Sequence, residues 1–144
     1  MFITASCTNT ENGRNTNFVF TPGGLAMSSK YGKQFDRSAR VLRTKLPVSV
    51  PVHIRTREKL VCSETGDNLF GQCILHYDAE GNTTQFTIEI VRGLEVETAI
   101  DTLLHEWAHA MDQVENGAAD YDDAHRDSWG AAYAKAWRAF TDEG

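Results

Sequence analysis

The amino-acid sequence predicts an α+β domain in which helices pack on a small sheet. Apolar residues recur at helical spacing near both ends of the chain, three alternating or β-branched segments lie between them, and turn-forming residues separate the segments. The predicted order is one helix, three strands and two helices, which is typical of the α+β class. A length of 144 residues is sufficient for a single domain with its own hydrophobic core.

The first 27 residues differ in composition from the rest. They are rich in Thr, Asn, Ser and Gly, and a short apolar patch at residues 18–20 precedes turn-forming residues at 21–24. We therefore predict a loosely structured arm over residues 1–27, carrying at most one edge strand, and a folded domain over residues 28–144. Within the domain, helical spacing predicts a first helix over residues 29–46, which Pro47 ends.

Three strands are predicted between residues 48 and 91. Residues 48–55 alternate and are rich in β-branched side chains, and Pro51, which has no backbone N–H, indicates an edge or a strand start. Residues 70–77 and 84–91 are joined by Asp-Ala-Glu-Gly-Asn, a composition that favours a hairpin turn. The strand at 84–91 alternates apolar and mostly polar residues, so one of its faces is predicted to be buried.

Two helices follow. The first begins near residues 95–98, where carboxylates match the helix dipole, and ends at Asn116-Gly117. A loop over residues 118–123 leads to the final helix, which Asp122 or Asp123 is predicted to cap. The final helix carries a broad apolar stripe made of Trp129, Ala132, Tyr133, Ala136, Trp137 and Phe140.

The first of these helices contains His105-Glu106-Trp107-Ala108-His109, the HExxH signature of zincins. Residues four apart lie on the same face of a helix, so the two imidazoles stand side by side and can bind one zinc ion. Glu106 follows the first ligand directly and can take a proton from zinc-coordinated water. The alternative is a helix with two incidental histidines beside a core stripe.

A catalytic zinc site uses three protein ligands, and His125 is predicted to be the third. It opens the final helix just after the loop that reverses the chain, so it can point back at the metal. His53 and His76 lie in predicted strands, where a lone histidine is more often a satisfied core or surface residue. Four carboxylates could also compete as ligands, namely Asp120, Asp122, Asp123 and Glu115. Loop carboxylates before a helix more commonly cap it, and Glu115 faces away from the two histidines on its helix.

Residues 102–110, followed by His125, Trp129-Gly130 and Tyr133-Ala134, resemble the SprT-like zinc metallopeptidases, especially their small phage and bacterial versions. The resemblance covers roughly residues 28–140 and implies a zincin-like minimal domain that holds one zinc ion and hydrolyses peptide bonds of a protein substrate. The family's second metal-binding segment usually reads His-Gly-Pro-x-(Trp/Phe), whereas this sequence has His-Arg-Asp-Ser-Trp at 125–129. The cysteine zinc ribbon or DNA-binding segments of larger members are not seen, so their DNA-linked substrates are not carried over.

The predicted mechanism has Glu106 accept a proton from the zinc-activated water and pass it to the leaving amine. Extended substrate is expected along residues 84–91, as an edge strand. Asp112 either orients a ligand imidazole or is a solvated helix residue. Tyr121 or Tyr133 could assist the oxyanion, although the apolar stripe favours a core role for Tyr133.

A second function remains open, namely a zinc-stabilised DNA- or protein-binding module without significant turnover. Glu106 favours the enzyme, because a purely structural zinc site does not need it. Hydrolysis of nucleic acid is disfavoured, because residues 93–127 hold ten carboxylates against one cation, and this charge would repel phosphate.

The positive charge lies elsewhere in the chain, whose net charge is −6. Residues 30–59 hold nine of the fourteen Lys and Arg, and a helical stripe among them predicts weak contact with DNA, unless it is merely a solvated face. The stripe consists of Lys30, Lys33, Arg37 and Arg40.

The setting of the protein is expected to be the cytoplasm, or the host cytoplasm if a phage encodes it. No apolar run approaches the ~20 residues of a membrane span, and the first residues lack the features of a signal peptide. Three cysteines without a CxxC pair argue against a disulfide framework and against a cysteine zinc ribbon.

Overall fold

The computed structural model describes residues 7–10, 32–119 and 123–142. This part of the chain is α+β, as predicted. The predicted arm over residues 1–27, with its patch at 18–20, lies outside the described residues except for one short strand. The elements in chain order are β1 (Cys7–Thr10), α1 (Lys33–Lys45), β2 (Val52–Arg57), β3 (Gly71–Tyr77), β4 (Thr83–Val91), α2 (Val96–Asn116) and α3 (Asp127–Asp142).

The strands form one mixed sheet in the order β1-β3-β4-β2. β3 and β4 are antiparallel, whereas β1 runs parallel to β3 and β2 runs parallel to β4. All three predicted strands are present, and β1 joins them beside β3. Because β4 is hydrogen-bonded on both sides, the expectation that residues 84–91 offer a free edge to substrate is wrong.

β2 is an outer strand of the sheet, as Pro51 indicated. The carbonyl of Pro51 accepts a hydrogen bond from the backbone N–H of Phe86 at 2.9 Å, and the strand begins at the next residue. It therefore starts four residues later than predicted. Pro51 explains the difference, because it cannot donate a backbone hydrogen bond to a neighbouring strand.

The hairpin between β3 and β4 is confirmed. In its turn, the Oδ1 atom of Asp78 accepts hydrogen bonds from the backbone N–H groups of Glu80 and Asn82, at 3.0 and 2.9 Å. The bond from Asn82 is the main cause of a lowered pKa at Asp78. Gly81 has a φ of 87°, a left-handed conformation that glycine adopts without a steric cost.

α2 is the central element of the fold. It packs against β3 and β4, and α1 and α3 pack against α2 and against each other. Trp107 is 1 % exposed, and its Nε1 atom donates a hydrogen bond to the carbonyl of Leu46 at 3.0 Å, which ties α2 to the end of α1. The main core contains Phe35, Leu42, Val52, Ile54, Cys73, Leu75, Phe86, Ile88, Ile90, Leu103, Leu104, Trp107 and Ala136.

The final helix begins at Asp127, later than predicted, so Asp123 does not cap it. Asp122 lies outside the described residues, and Asp123 belongs to a separate turn in which the N–H of Arg126 donates to its carbonyl at 3.1 Å. His125 is therefore in this turn and not in the helix. None of the helices in the described ranges is long and apolar enough to cross a membrane.

Candidate metal centre

Three histidines converge beside one face of α2. His105 and His109 lie one turn apart on the helix, with ring centroids 5.0 Å apart, and the ring of His125 lies 5.1 Å from each. Their potential ligand atoms all lie within 4.8 Å of one another. Two nitrogens bound to one tetrahedral ion at ~2.0–2.1 Å would be about 3.3–3.4 Å apart. The three histidines are therefore close enough to hold a metal ion.

The fold explains how a distant residue joins the helical pair. α2 ends at Asn116. The next residue, Gly117, has a left-handed φ of 89°, and α3 then packs back against α2. The turn before α3 thereby brings His125 to the face that carries His105, and their Nε2 atoms are 3.1 Å apart. The structure thus unites all three predicted ligands, although it places His125 outside the helix.

Burial favours the neutral form of the three rings. His105 and His109 are 6 % and 1 % exposed, whereas His125 is exposed. Burial, with a smaller contribution from His125, lowers the pKa of His105 to about 3, and burial also lowers the pKa of His109 well below its usual value. The pKa of His125 is lowered as well, by its partial burial against its neighbours. Neutral imidazole is the form that binds metal.

His109 supplies a further sign that the site fits a metal. Both of its ring nitrogens are buried, and neither has a hydrogen-bond partner among the described residues. An unsatisfied buried polar group costs roughly 1–3 kcal/mol. A metal ion would satisfy one of these nitrogens, so the donor set and its burial fit a bound cation.

Glu106 lies beside this cluster and is fully buried. Its Oε2 atom is 4.0 Å from the Nε2 atom of His105. The start of β3 approaches it closely, because a Cβ atom on Gly71 would lie 3.5 Å from the Cγ atom of Glu106 and only 2.5 Å from the Cγ2 atom of Thr102. Gly71 was not singled out in the sequence, although a glycine inside a strand often marks a close backbone approach.

Two aromatic residues of α3 form a wall of the site. The Trp129 ring stacks on His109 at 5.3 Å and meets the His125 ring edge-on at 4.4 Å, and its Nε1 atom donates to the carbonyl of His105. Tyr133 stacks on Trp129 at 5.0 Å. The sequence had placed Trp129 in the apolar stripe, and its position four residues after His125 was the signal for this second role.

The hydroxyl of Tyr133 is engaged by a carboxylate. It donates a hydrogen bond to Oδ1 of Asp101, to which the Nε1 atom of Trp137 also donates, at 3.3 Å. Burial and the bond to Asp101 raise the pKa of Tyr133 to about 12. This environment agrees with the packing role expected for Tyr133, and Tyr121, the other candidate, lies outside the described residues.

Asp112 has neither of the two roles that the sequence suggested, namely orienting a ligand imidazole or lying solvated on the helix. It is buried rather than solvated, and its Oδ2 atom accepts a hydrogen bond from Nε of Arg126 at 2.7 Å rather than from a ligand imidazole. Arg126 was missed in the sequence. Two signals could have identified it, because it adjoins His125 and is the only cation among the ten carboxylates of residues 93–127.

The remaining candidate ligands among the described residues are not part of the histidine group. His53 bonds to Gln85 and the buried His76 bonds to Thr87, each at 2.9 Å, as expected for satisfied histidines in a sheet. Glu115 is exposed, and Asp123 is not part of the histidine group. Asp120 and Asp122 lie outside the described residues.

The basic stripe is only partly available to a partner. Lys33 and Arg40 are exposed, and Lys30 lies outside the described residues. Arg37 instead packs on α3, where its guanidinium donates to the carbonyl of Phe140 at 3.3 Å and lies 5.0 Å from the centre of the Phe140 ring. At least one predicted DNA-contacting side chain therefore also has a structural role.

Comparisons with models of known protein families, with curated proteins and with solved structures found no match.

Proposed function

We propose that this protein is a zinc-dependent peptidase with a zincin-like domain of the SprT-like kind. The observation that carries the proposal is the convergence of His105, His109 and His125 beside the buried carboxylate of Glu106. Three imidazoles are the ligand set of many catalytic zinc sites, which leave one position open to water. A general base next to such ligands is the feature that separates a catalytic site from a structural one.

In this proposal the three histidines would hold the ion as neutral ligands, which their lowered pKa values favour. A bound zinc ion would supply Lewis-acid chemistry, polarising the substrate carbonyl and lowering the pKa of water towards 7. Glu106 accepts the proton of the attacking water and then delivers it to the leaving amine. Because His125 is the exposed ligand, the substrate reaches the site from its side.

The charge around the site supports a polypeptide substrate over a phosphodiester. Glu97 is exposed on α2, which carries two of the ligands, and Asp123 and Asp127 flank His125 as exposed residues. Carboxylates at these positions repel the phosphates of nucleic acid and tolerate a peptide. Metal-dependent hydrolysis of nucleic acid is therefore not favoured.

A second candidate function is a zinc-stabilised binding module. The ion would link α2 to the turn before α3, and the exposed Lys33 and Arg40 would offer a positive surface on α1. Such a module requires the three histidines but not Glu106. The role of Glu106 therefore separates the two functions.

The test uses Glu106→Gln, which removes the base and keeps the size of the side chain. Glu115→Gln is the matched control, because Glu115 is exposed on the same helix and outside the histidine group. Zinc-loaded proteins are incubated with unfolded labelled casein and with a mixture of synthetic peptides, and cleavage is followed by mass spectrometry.

We expect cleavage by the wild-type protein and by Glu115→Gln. Glu106→Gln should retain zinc and thermal stability and lose at least ~10²-fold in rate, as expected for loss of a general base. Equal cleavage by Glu106→Gln would refute the assigned base. A zinc-loaded wild-type protein that cuts none of the peptides would favour the binding module.

A further inference from the structure

The turn that carries His125 is tied to α2 by one arginine. The Nε atom of Arg126 donates to Oδ2 of Asp112 at 2.7 Å, and a terminal guanidinium nitrogen donates to the carbonyl of Gly117 at 2.5 Å. The other oxygen of Asp112 accepts a hydrogen bond from Nδ2 of Asn116 at 2.9 Å. Both oxygens of this carboxylate thus accept hydrogen bonds. Arg126 contacts α2 at Asp112 and, just past the end of the helix, at Gly117.

This ion pair is better placed than a surface pair to fix geometry. The side chain of Asp112 is 1 % exposed and that of Arg126 is 27 % exposed, so water screens the pair little. Two donors of one planar guanidinium hold two fixed acceptors, which sets orientation as well as distance. Held in this way, the backbone of Arg126 also fixes the preceding residue, His125.

His125 is the ligand that most requires such support. His105 and His109 are buried on a regular helix, whereas His125 is exposed in a turn. The turn has its own backbone bonds, from the N–H of Arg126 to Asp123 and from the N–H of Trp129 to Arg126. Those bonds fix the local shape of the turn, but they do not fix its distance from α2. The side chain of Arg126 contributes to that distance, because Asp112 and Gly117 belong to α2 and its end, and it acts together with the bond from Nε1 of Trp129 to the carbonyl of His105.

We propose that Asp112 and Arg126 act as positioning residues that hold His125 at ligand distance from His105 and His109. This inference rests on the proposed metal centre. It assigns a role in zinc affinity to two residues that lie outside the histidine cluster. A pair that only stabilises the fold would lower the free energy of unfolding on its removal but leave the zinc affinity of the folded protein unchanged.

The experiment measures the zinc dissociation constant of the full chain by competition with a chromophoric chelator, under conditions where circular dichroism shows the folded state. Arg126→Ala is compared with Arg92→Ala, an exposed arginine whose partner is Glu58 on another part of the surface. Both substitutions are also made in a His125→Ala background. Asp112→Asn, which keeps the side-chain shape, provides a second route if Arg126→Ala does not fold.

We expect Arg126→Ala and Asp112→Asn to weaken zinc binding by about 10–100-fold, the usual effect of losing a residue that supports a metal ligand. The zinc affinity of Arg126→Lys should fall between theirs and that of the wild-type protein, because lysine keeps the positive charge but lacks the planar guanidinium with its two fixed donors. In the His125→Ala background, Arg126→Ala should cause no further loss. Arg92→Ala should match the wild-type protein.

An unchanged zinc affinity in folded Arg126→Ala or Asp112→Asn would overturn the positioning role. An equal loss with and without His125 would overturn it too, because the pair would then act on the fold in general. A wild-type protein that binds no zinc would instead remove the metal centre itself, so the two failures are distinguishable.

Discussion

Replacing Gly71 by alanine tests how closely α2 approaches the sheet beside Glu106. The added Cβ atom would lie 2.5 Å from Cγ2 of Thr102 and 3.0 Å from the carbonyl oxygen of Glu89. Glu89 belongs to β4, which is paired on both sides, so its carbonyl cannot move away without distorting the sheet. Gly71 is not among the glycines with a positive φ, so the cost comes from overpacking and not from backbone strain.

Overpacking of this kind costs typically 1–3 kcal/mol, so we expect Gly71→Ala to lower the free energy of unfolding by about 2 kcal/mol and Tm by roughly 4–8 °C. Gly130→Ala is the control of opposite sign. Gly130 is in α3, and a Cβ atom there would meet nothing within 4 Å. Alanine is the better helix former, so this variant should be more stable by roughly 0.5–1 kcal/mol.

A third variant assigns the cost to one contact. Thr102→Ser removes the methyl group that the new Cβ atom would strike and keeps the hydroxyl, which donates to the carbonyl of Thr98 at 2.7 Å. Gly71→Ala combined with Thr102→Ser should therefore lose less stability than the two single changes add up to. Chemical denaturation measures all three. If Gly71→Ala were as stable as the wild-type protein, or if the two changes were strictly additive, the packing argument would be refuted.

Two further predictions concern acid and DNA. The folded pKa of His105, about 3, and that of the buried His76 both lie below the ordinary value of 6.5, so the unfolded chain binds more protons as the pH falls. The stability of the metal-free protein should accordingly be greatest above about pH 6.5 and fall as the pH drops towards 3. Chemical denaturation in the presence of a chelator measures this, and a constant stability between about pH 7 and pH 5 would contradict it. The stripe at Lys30, Lys33, Arg37 and Arg40 should bind duplex DNA weakly at about 50 mM salt, with a salt slope of about 0.9 per phosphate contacted. If fluorescence anisotropy shows no binding, or no change when all four residues are replaced by Glu, the stripe does not bind DNA.

The local parts of the site were predictable from the sequence because they depend on spacing along one element. Helical periodicity fixed the relation of His105 to His109, and turn residues marked Gly117 and the hairpin at Asp78. His125 was also identified, because few histidines remained and it followed a reversal of the chain. These inferences required no knowledge of which elements become neighbours.

The features that the sequence did not predict correctly depend on which elements pair in the tertiary structure. The alternation in β4 correctly predicted a buried face, but nothing in that pattern reveals that β2 pairs with the edge of β4 that β3 leaves open. The start of α3 was misplaced, because capping carboxylates precede it at Asp122 and Asp123 and compete with the true boundary. Asp112 and Arg126 are fourteen residues apart, and their ion pair exists only because the loop after Gly117 brings the chain back.

The proposed function depends on one zinc ion bound jointly by His105, His109 and His125. Elemental analysis of the purified protein after dialysis against buffered zinc tests it most directly, with His125→Ala and His53→Ala measured in parallel. His53 is the matched control, because it bonds to Gln85 in the sheet and lies outside the histidine group. We predict one zinc per chain for the wild-type protein and for His53→Ala, and well below one, with a lower Tm, for His125→Ala. Full zinc occupancy in His125→Ala would show that His125 is not the third ligand.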